Sequence, residues 1–365
     1  MTADIKYMQL AIKLAWKGIG KVWPNPMVGC VIVKNNKILG RGYHQKFGGP
    51  HAEINALADC KKNGNDPAGA TMYVSLEPCC HFGKTPPCVN AIIAAGIKKV
   101  VAAVKDPTKK VAGKGFKALK KAGIAVITGV CENEAKKLKA PFFKLAQTGK
   151  PYVIVKWAQS RDDFLARSDG KRWITNAASR KDVHKLRKKA QAILVGINTV
   201  LEDNPHLTAR PDTGRQPIRI VLDSCLRIPL NCNLIKTAKK TPVWIFTTVS
   251  KRDCRASLAM TRQKGVETIK VGKYKNGVNL KTVLAELGKR DVQQLLVEGG
   301  KEVITSFLKQ KLADEVVIYT SDEKLTKNGE VKTSQIMKNL YTRIRKNYSD
   351  KKLFNSDVRL TSIAG

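Results

Sequence analysis

Apolar residues recur at helical spacing over 3–18, where Asp4, Lys6, Lys13 and Lys17 interrupt the stripe, and predict an amphipathic helix. A continuous apolar run at 28–33, the turn Lys34-Asn35-Asn36 and a second run at 37–42 predict a β-hairpin. Helical periodicity then covers 51–62, 87–96 and 131–147, with further helix between the strand patterns at 71–76, 99–104 and 125–128. Gln147-Thr148-Gly149-Lys150-Pro151 stops the last helix, and a strand pattern starts at once at 152–156. The alternation resumes as helix 176–189, strands 191–195, 217–222 and 242–246, helix 280–288, strand 294–297 and helix 301–310. Beyond Tyr319 the chain is polar and lysine-rich with weak periodicity. The pattern predicts two α/β domains, 1–147 with three layers and 151–365, the stretch 320–365 being divergent.

A chain of 365 residues exceeds what one core usually serves, and 43% hydrophobic residues exclude a disordered polymer. No 18-residue apolar run occurs, and the first helix carries too many charges for a signal core, so a cytoplasmic protein with no membrane partner is expected. The balance of 67 basic to 29 acidic residues, +38, favours phosphorylated partners and admits nucleic acid. The lysines are scattered, however, in pairs such as Lys61-Lys62 and Lys188-Lys189, with no aromatic-interleaved stripe, which favours a solvated basic surface. Nine cysteines, at 30, 60, 79, 80, 88, 131, 225, 232 and 254, are an odd number, as expected for reduced thiols. The cluster at 79, 80 and 88 needs another explanation.

Pro50-His51-Ala52-Glu53 opens a predicted helix, Leu76-Glu77-Pro78-Cys79 closes a predicted strand, and Cys88 follows Pro86-Pro87 at the next helix start. His51, Cys79 and Cys88 make three zinc ligands and leave a fourth tetrahedral position for water. Zinc lowers the pKa of such a water from ~15.7 to roughly 7, and Glu53 is placed to shuttle its proton to a leaving amine as the general acid-base. The spacing follows the His-x-Glu…Pro-Cys pattern of zinc deaminases, with the second cysteine displaced by eight intervening residues. Each element alone is more often an incidental histidine or a packing cysteine; their joint placement is not. Cys80 reads as packing. His81 and Lys84 stand in the insert as donors suited to a phosphate.

Asn25-Pro26-Met27-Val28-Gly29, Gly42-Tyr43-His44, His51-Ala52-Glu53, Leu76 through Cys88, Asp106-Pro107 and Gly113-Lys114-Gly115 occur in that order. In these segments the chain closely resembles the bifunctional riboflavin-biosynthesis deaminase-reductases of the RibD type, over about residues 1–320. The resemblance implies a cytidine-deaminase-like domain followed by one similar to dihydrofolate reductase. It implies deamination of 2,5-diamino-6-(5-phosphoribosylamino)pyrimidin-4(3H)-one, then NADPH reduction of the ribosyl group of 5-amino-6-(5-phosphoribosylamino)uracil to ribityl. It further implies Asn25 and His44 at the pyrimidine or ribose, and His81 and Lys84 at the phosphate.

Gly196 through Pro205, His206-Leu207-Thr208-Ala209-Arg210 and Leu296-Val297-Glu298-Gly299-Gly300 carry the resemblance into the second half. By it, Ala158, Trp173, Thr199, Asp203, Ser224, Gly300, Lys301, Glu302, Val303, Ile304, Thr305 and Ser306 line the NADP site. Lys171, Arg187, Leu207, Arg210 and Glu298 hold the reductase substrate, Leu207 through its backbone. Read residue by residue, Trp173 is a core residue and Arg187 a solvated helix residue. Ser160-Arg161-Asp162-Asp163 departs from the family's Ser-x-Asp-Gly, so a tight turn is expected to change. Lys171 replaces an expected serine, and Thr320-Ser321-Asp322-Glu323 replaces an Ala-Pro loop. These departures motivate one alternative, a deaminase with a weakened reductase; the +38 charge motivates a second, a basic nucleic-acid-binding deaminase. A homo-oligomer is compatible with the sequence.

Overall fold

The computed structural model describes residues 2–212, 214–249, 263–275 and 277–364. Cys254 lies outside them. The chain divides into two compact units, Met1–Gly149 and Lys150–Gly365. No helix among the described residues is long and apolar enough to cross a membrane.

The first unit runs α1 (Ala3–Ala15), β1 (Gly29–Lys34), β2 (Lys37–Tyr43), α2 (Ala52–Lys62), β3 (Thr71–Val74), α3 (Cys88–Ala94), β4 (Lys99–Ala102), α4 (Lys114–Lys121), β5 (Ala125–Thr128) and α5 (Glu132–Thr148). Among the described residues its sheet has the order β2-β1-β3-β4-β5. β1 is antiparallel to β2 and β3, and β3, β4 and β5 are parallel. Asn35 and Asn36 take φ of 49° and 60°, the left-handed pair that a tight hairpin turn requires. Strand residues alternate between two cores because side chains leave a strand on opposite faces. Cys30, Ile32, Met72, Val74 and Val100 meet α2, α3 and α4. Val31, Val33, Tyr73 and Val101 meet α1 and α5. Two apolar faces force a helix layer onto each side. β2 admits α2 at close range through Gly42, where a Cβ would collide with the backbone of Ala52 and Ala56.

The second unit comprises β6 (Tyr152–Gln159), β7 (Phe164–Arg167), α6 (Ala177–Lys189), β8 (Ala192–Gly196), α7 (Ile197–Asp203), β9 (Ile218–Leu222), α8 (Asn233–Lys236), β10 (Val243–Thr247), β11 (Val266–Lys270), the short strands β12 (Lys273–Tyr274) and β13 (Gly277–Val278), α9 (Leu280–Lys289) and β14 (Gln294–Val297). There follow α10 (Lys301–Lys309), β15 (Glu315–Thr320), β16 (Gly329–Lys332), α11 (Gln335–Lys346), β17 (Asp350–Phe354) and β18 (Asp357–Ile363). Among the described residues the main sheet has the order β11-β10-β9-β8-β14-β6-β15-β18-β17. Pairing is parallel from β11 through β15 and antiparallel at β18 and β17. Again the strands feed two cores: Val153, Val155, Ala192 and Leu194 lie on one face, Ile154, Ile193 and Val195 on the other.

The weakly periodic stretch after Tyr319 is folded. β18 pairs along the whole of β15, and α11 buries Met337 and Ile344 in the core. Where a turn was expected to change, the Asp163 N–H donates to the Ser160 carbonyl at 3.2 Å and closes a tight one. Asp163 takes φ of 70°, a conformation that Asp tolerates better than most residues, and its carboxylate accepts from Gln159 at 3.2 Å. Asp162 fastens this turn to the later segment by accepting the N–H groups of Leu325 and Thr326.

Gly42→Ala is expected to push α2 off the sheet and to cost about 2–3 kcal/mol of stability, the scale of overpacking a filled contact. Urea denaturation followed by circular dichroism measures this; an unchanged midpoint would remove Gly42 from the role.

Candidate metal and reductase sites

β3 ends at Val74, and the chain continues along the sheet edge through Leu76 to Cys79, opposite the first residues of α2 and α3. His51 is the N-cap residue of α2 in extended conformation, Glu53 lies in its first turn, and Cys88 is the first residue of α3. The His51, Cys79 and Cys88 ligand atoms all lie within 4.8 Å of one another. His51 Nδ1 is 3.5 Å from Cys79 Sγ and 3.3 Å from Cys88 Sγ. The backbone N–H of Cys88 donates to Cys79 Sγ at 3.3 Å, a contact that the open helix N-terminus makes available. One nitrogen and two sulfurs converging this closely suit zinc, whose structural chemistry favours such donors. Hydrogen bonding from Cys88 and His51 holds the Cys79 thiol well below its ordinary range, despite burial. Thr85 Oγ1 stands 3.5 Å from the far ring nitrogen, His51 Nε2, and steadies the ring.

Glu53 is buried beside this cluster. Burial first, then the Cys79 charge, raise its pKa to about 7. A carboxyl in that range both accepts and returns a proton at neutral pH. The same cavity, about 280 Å³, is lined by Asn25, His44, His81, Lys84 and Asp106. His44 Nδ1 is 3.0 Å from the Pro50 carbonyl, which can only accept, so that nitrogen carries the proton. Its Nε2 therefore accepts from Asn25 Nδ2 at 3.1 Å, which leaves the Asn25 carbonyl oxygen as the free end of that amide. Burial lowers the His44 pKa and keeps the ring neutral. Lys84 Nζ lies 4.0 Å from the Phe47 ring centroid, and His81 Nδ1 is buried without a hydrogen-bond partner among the described residues. Cys80 packs against the core beneath. All eight described cysteines are free thiols.

The residue that sequence reasoning missed is Glu77. Its buried carboxylate accepts four backbone N–H groups, from Asp106 at 3.1 Å, Gly113 at 2.9 Å, Gly115 at 3.0 Å and Phe116 at 3.3 Å. A Cβ at Gly115 would collide with the Pro78 carbonyl, so only glycine lets this segment close over the strand end. The available signal was a charged residue directly after an apolar strand.

In the second unit, Glu298 follows β14 and Gly300 is the N-cap residue of α10. Thr199 Oγ1 accepts the Gly300 N–H at 3.1 Å, bringing α7 and α10 together. No side chain caps α10, so its first N–H groups stay available to an anion. Of the segment 300–306, Ile304 packs in the core and Thr305 bonds Ser334 at 2.8 Å, while the exposed Gly300, Lys301 and Glu302 stand at the helix start. Ala158 lies on β6 opposite Tyr319. The Ser224 carbonyl accepts from Thr248 at 2.9 Å. Trp173 is no core residue: its side chain is 54% exposed between the guanidinium groups of Arg172 and Arg180, at 5.0 and 5.1 Å, and Arg172 also donates to the Asp203 carbonyl. Lys171 is exposed, and its main-chain N–H donates to Asp169 at 3.3 Å.

Nor is Arg187 a solvated helix residue. It donates to Glu298 through Nε at 2.8 Å and Nη2 at 2.9 Å, and Lys156, which sequence reasoning also missed, stands 3.6 Å from the same carboxylate. Burial alone would raise the Glu298 pKa; the charges of Arg187 and Lys156 overcome it and bring it to about 2. Leu207 is buried with φ of 51°, and Arg210 is exposed.

Residues 1–104 match the cytidine and deoxycytidylate deaminase zinc-binding region, and residues 151–322 match the RibD C-terminal domain. The riboflavin biosynthesis protein RibD of Aquifex aeolicus is 46% identical over 87% of this chain and 86% of its own length. That of Escherichia coli is 39% identical over 88% of each. Among solved structures, Acinetobacter baumannii RibD is 36% identical and superposes over 99% of both chains with a TM-score of 0.86. The Thermotoga maritima diaminohydroxyphosphoribosylaminopyrimidine deaminase/5-amino-6-(5-phosphoribosylamino)uracil reductase is 35% identical over 99% of both, with a TM-score of 0.85.

Glu77→Ala is expected to strand four buried N–H groups and to lower stability by about 3 kcal/mol. Glu77→Gln, which keeps one oxygen, should lose less. Chemical denaturation ranks the two, and equal losses would argue against the acceptor role.

Proposed function

The chain belongs to the RibD family, and on that premise we propose how its residues divide two reactions between the two units. It is a bifunctional enzyme of riboflavin biosynthesis, with a cytidine-deaminase-like zinc domain followed by a pyrimidine-reductase-like domain. The first reaction deaminates 2,5-diamino-6-(5-phosphoribosylamino)pyrimidin-4(3H)-one; the second reduces the ribosyl group of the resulting 5-amino-6-(5-phosphoribosylamino)uracil to ribityl.

The observation that carries the first assignment is the convergence of His51, Cys79 and Cys88 beside buried Glu53 in one cavity. Zinc held by those three residues supplies an activated water at neutral pH. Glu53 takes a proton from the attacking water and passes it to the amino nitrogen, which departs as ammonia. Its raised pKa suits both transfers. Asn25, fixed by His44, offers a carbonyl oxygen to the N–H edge of the pyrimidine. His81 and Lys84 bring positive charge to the phosphate.

For the second reaction the cofactor is NADPH, which supplies the hydride. The open start of α10, from Gly300, is suited to its diphosphate, with Thr199 bonded to Gly300; Asp203, Ser224, Ala158 and Trp173 are assigned to the rest of the cofactor by the family resemblance. Arg187, Arg210 and the main chain at Leu207 hold the substrate, with Glu298 fixing Arg187. A tight turn still closes at Asp163, which supports a working reductase over one weakened there. The partner is thus a small phosphoribosylated molecule, and a scattered positive charge gives no specific reason to add nucleic acid.

Purified protein given the diamino substrate and NADPH is expected to release ammonia and oxidise NADPH in equal amounts. Ammonia release without NADPH oxidation would leave only the deaminase. Glu53→Gln should keep zinc by elemental analysis and lose ammonia release by about 10²–10⁴-fold. Cys88→Ser should lose the metal, and normal zinc content would refute that ligand.

A further inference from the structure

His184 and Arg187 lie one turn apart on α6 and so share a face. Both reach the same acceptor, the Thr208 carbonyl, His184 through Nδ1 and Arg187 through Nη1, each at 3.2 Å. A carbonyl oxygen only accepts, so Nδ1 carries the ring proton. Nε2 has no hydrogen-bond partner among the described residues, and in the neutral ring it is a bare acceptor. The charged groups facing the imidazole are Arg187 from its own helix, Arg210 from the segment after Thr208, and Glu298 from the end of β14. Lys156 of β6 stands behind Glu298. Burial, then Arg187 and Arg210, lower the His184 pKa, so in the empty site the ring is neutral at pH 7.

A phosphate bound here finds few fixed donors, and those come from Arg187 alone. Arg187 already commits Nε and Nη2 to Glu298 and Nη1 to Thr208, which leaves it one N–H on each terminal nitrogen. Arg210 is exposed and must be ordered on binding. We infer that His184 is a third, proton-linked donor to the phosphate of the reductase substrate. The arriving dianion reverses the local field, a solvent proton moves onto Nε2, and the resulting N–H donates to a phosphate oxygen beside Arg187 and Arg210. The inference rests on the reading of those arginines as the phosphate grip.

The sign follows from the two states. The free site holds the ring pKa below its ordinary value and the bound site raises it, so binding takes up a proton between those two values. Affinity therefore falls as pH rises through that window. At pH 7 the phosphate monoester is mostly dianionic already (second pKa about 6), so its own titration contributes little.

The test is calorimetric titration of the full-length protein with ribose 5-phosphate at pH 7, in two buffers of different ionisation enthalpy. Wild-type protein is expected to take up a large fraction of one proton. His184→Gln and His184→Asn, each checked for folding by circular dichroism, should take up none and bind about tenfold or more weakly. No uptake by wild-type protein, or unchanged uptake in both variants, overturns the inference. Arg210→Gln separates the premise: if ribose 5-phosphate fails to bind wild-type protein, or binds it no better than Arg210→Gln, the phosphate grip itself is wrong and His184 falls with it. If Arg210→Gln weakens binding while the His184 variants leave uptake unchanged, only the assignment of His184 fails.

Discussion

Two carboxylates, Glu77 after β3 and Glu298 after β14, are taken out of water at the ends of parallel strands. Burying an ionised carboxyl costs several kcal/mol unless hydrogen bonds and charges compensate it. Each unit meets that demand differently. Glu77 collects four backbone N–H groups and so ties the 106–116 segment to the strand that delivers Cys79. Glu298 collects Arg187 and Lys156, which fixes two cationic groups at the end of β14. In both cases the satisfied carboxylate holds neighbouring segments in place.

Around these anchors the sites use the open ends of helices. α2 and α3 begin where β3 runs out, and α10 begins where β14 runs out. A helix N-terminus presents unpaired N–H groups, which favour a thiolate in one unit and leave an uncapped start in the other. Glycine sets how close these helices come: Gly42 admits α2 to the sheet, and Gly115 lets a segment pass over Pro78. His51, Cys79 and Cys88 then meet because strand end and helix starts share one edge of the sheet.

Asp163 takes a left-handed φ of 70°, and its carboxylate accepts from Gln159. The segment after Tyr319 shows weak periodicity because its strands are half-exposed and mix polar with apolar residues. Its order comes from pairing with β15 and from Asp162, contacts remote in sequence.

The sequence by itself determined the alternation of elements, the break at Gln147–Pro151, and the grouping of His51, Cys79 and Cys88 with Glu53. Such features are written in local periodicity, in glycine and proline punctuation, and in residue types that few other purposes bring together. Tertiary structure alone decided the rest. That Glu77 is an organiser and that Arg187 is locked on Glu298 depend on partners 29 to 111 residues away. No local pattern encodes such pairings, because the sheet order that brings the partners together is set by packing of the whole unit.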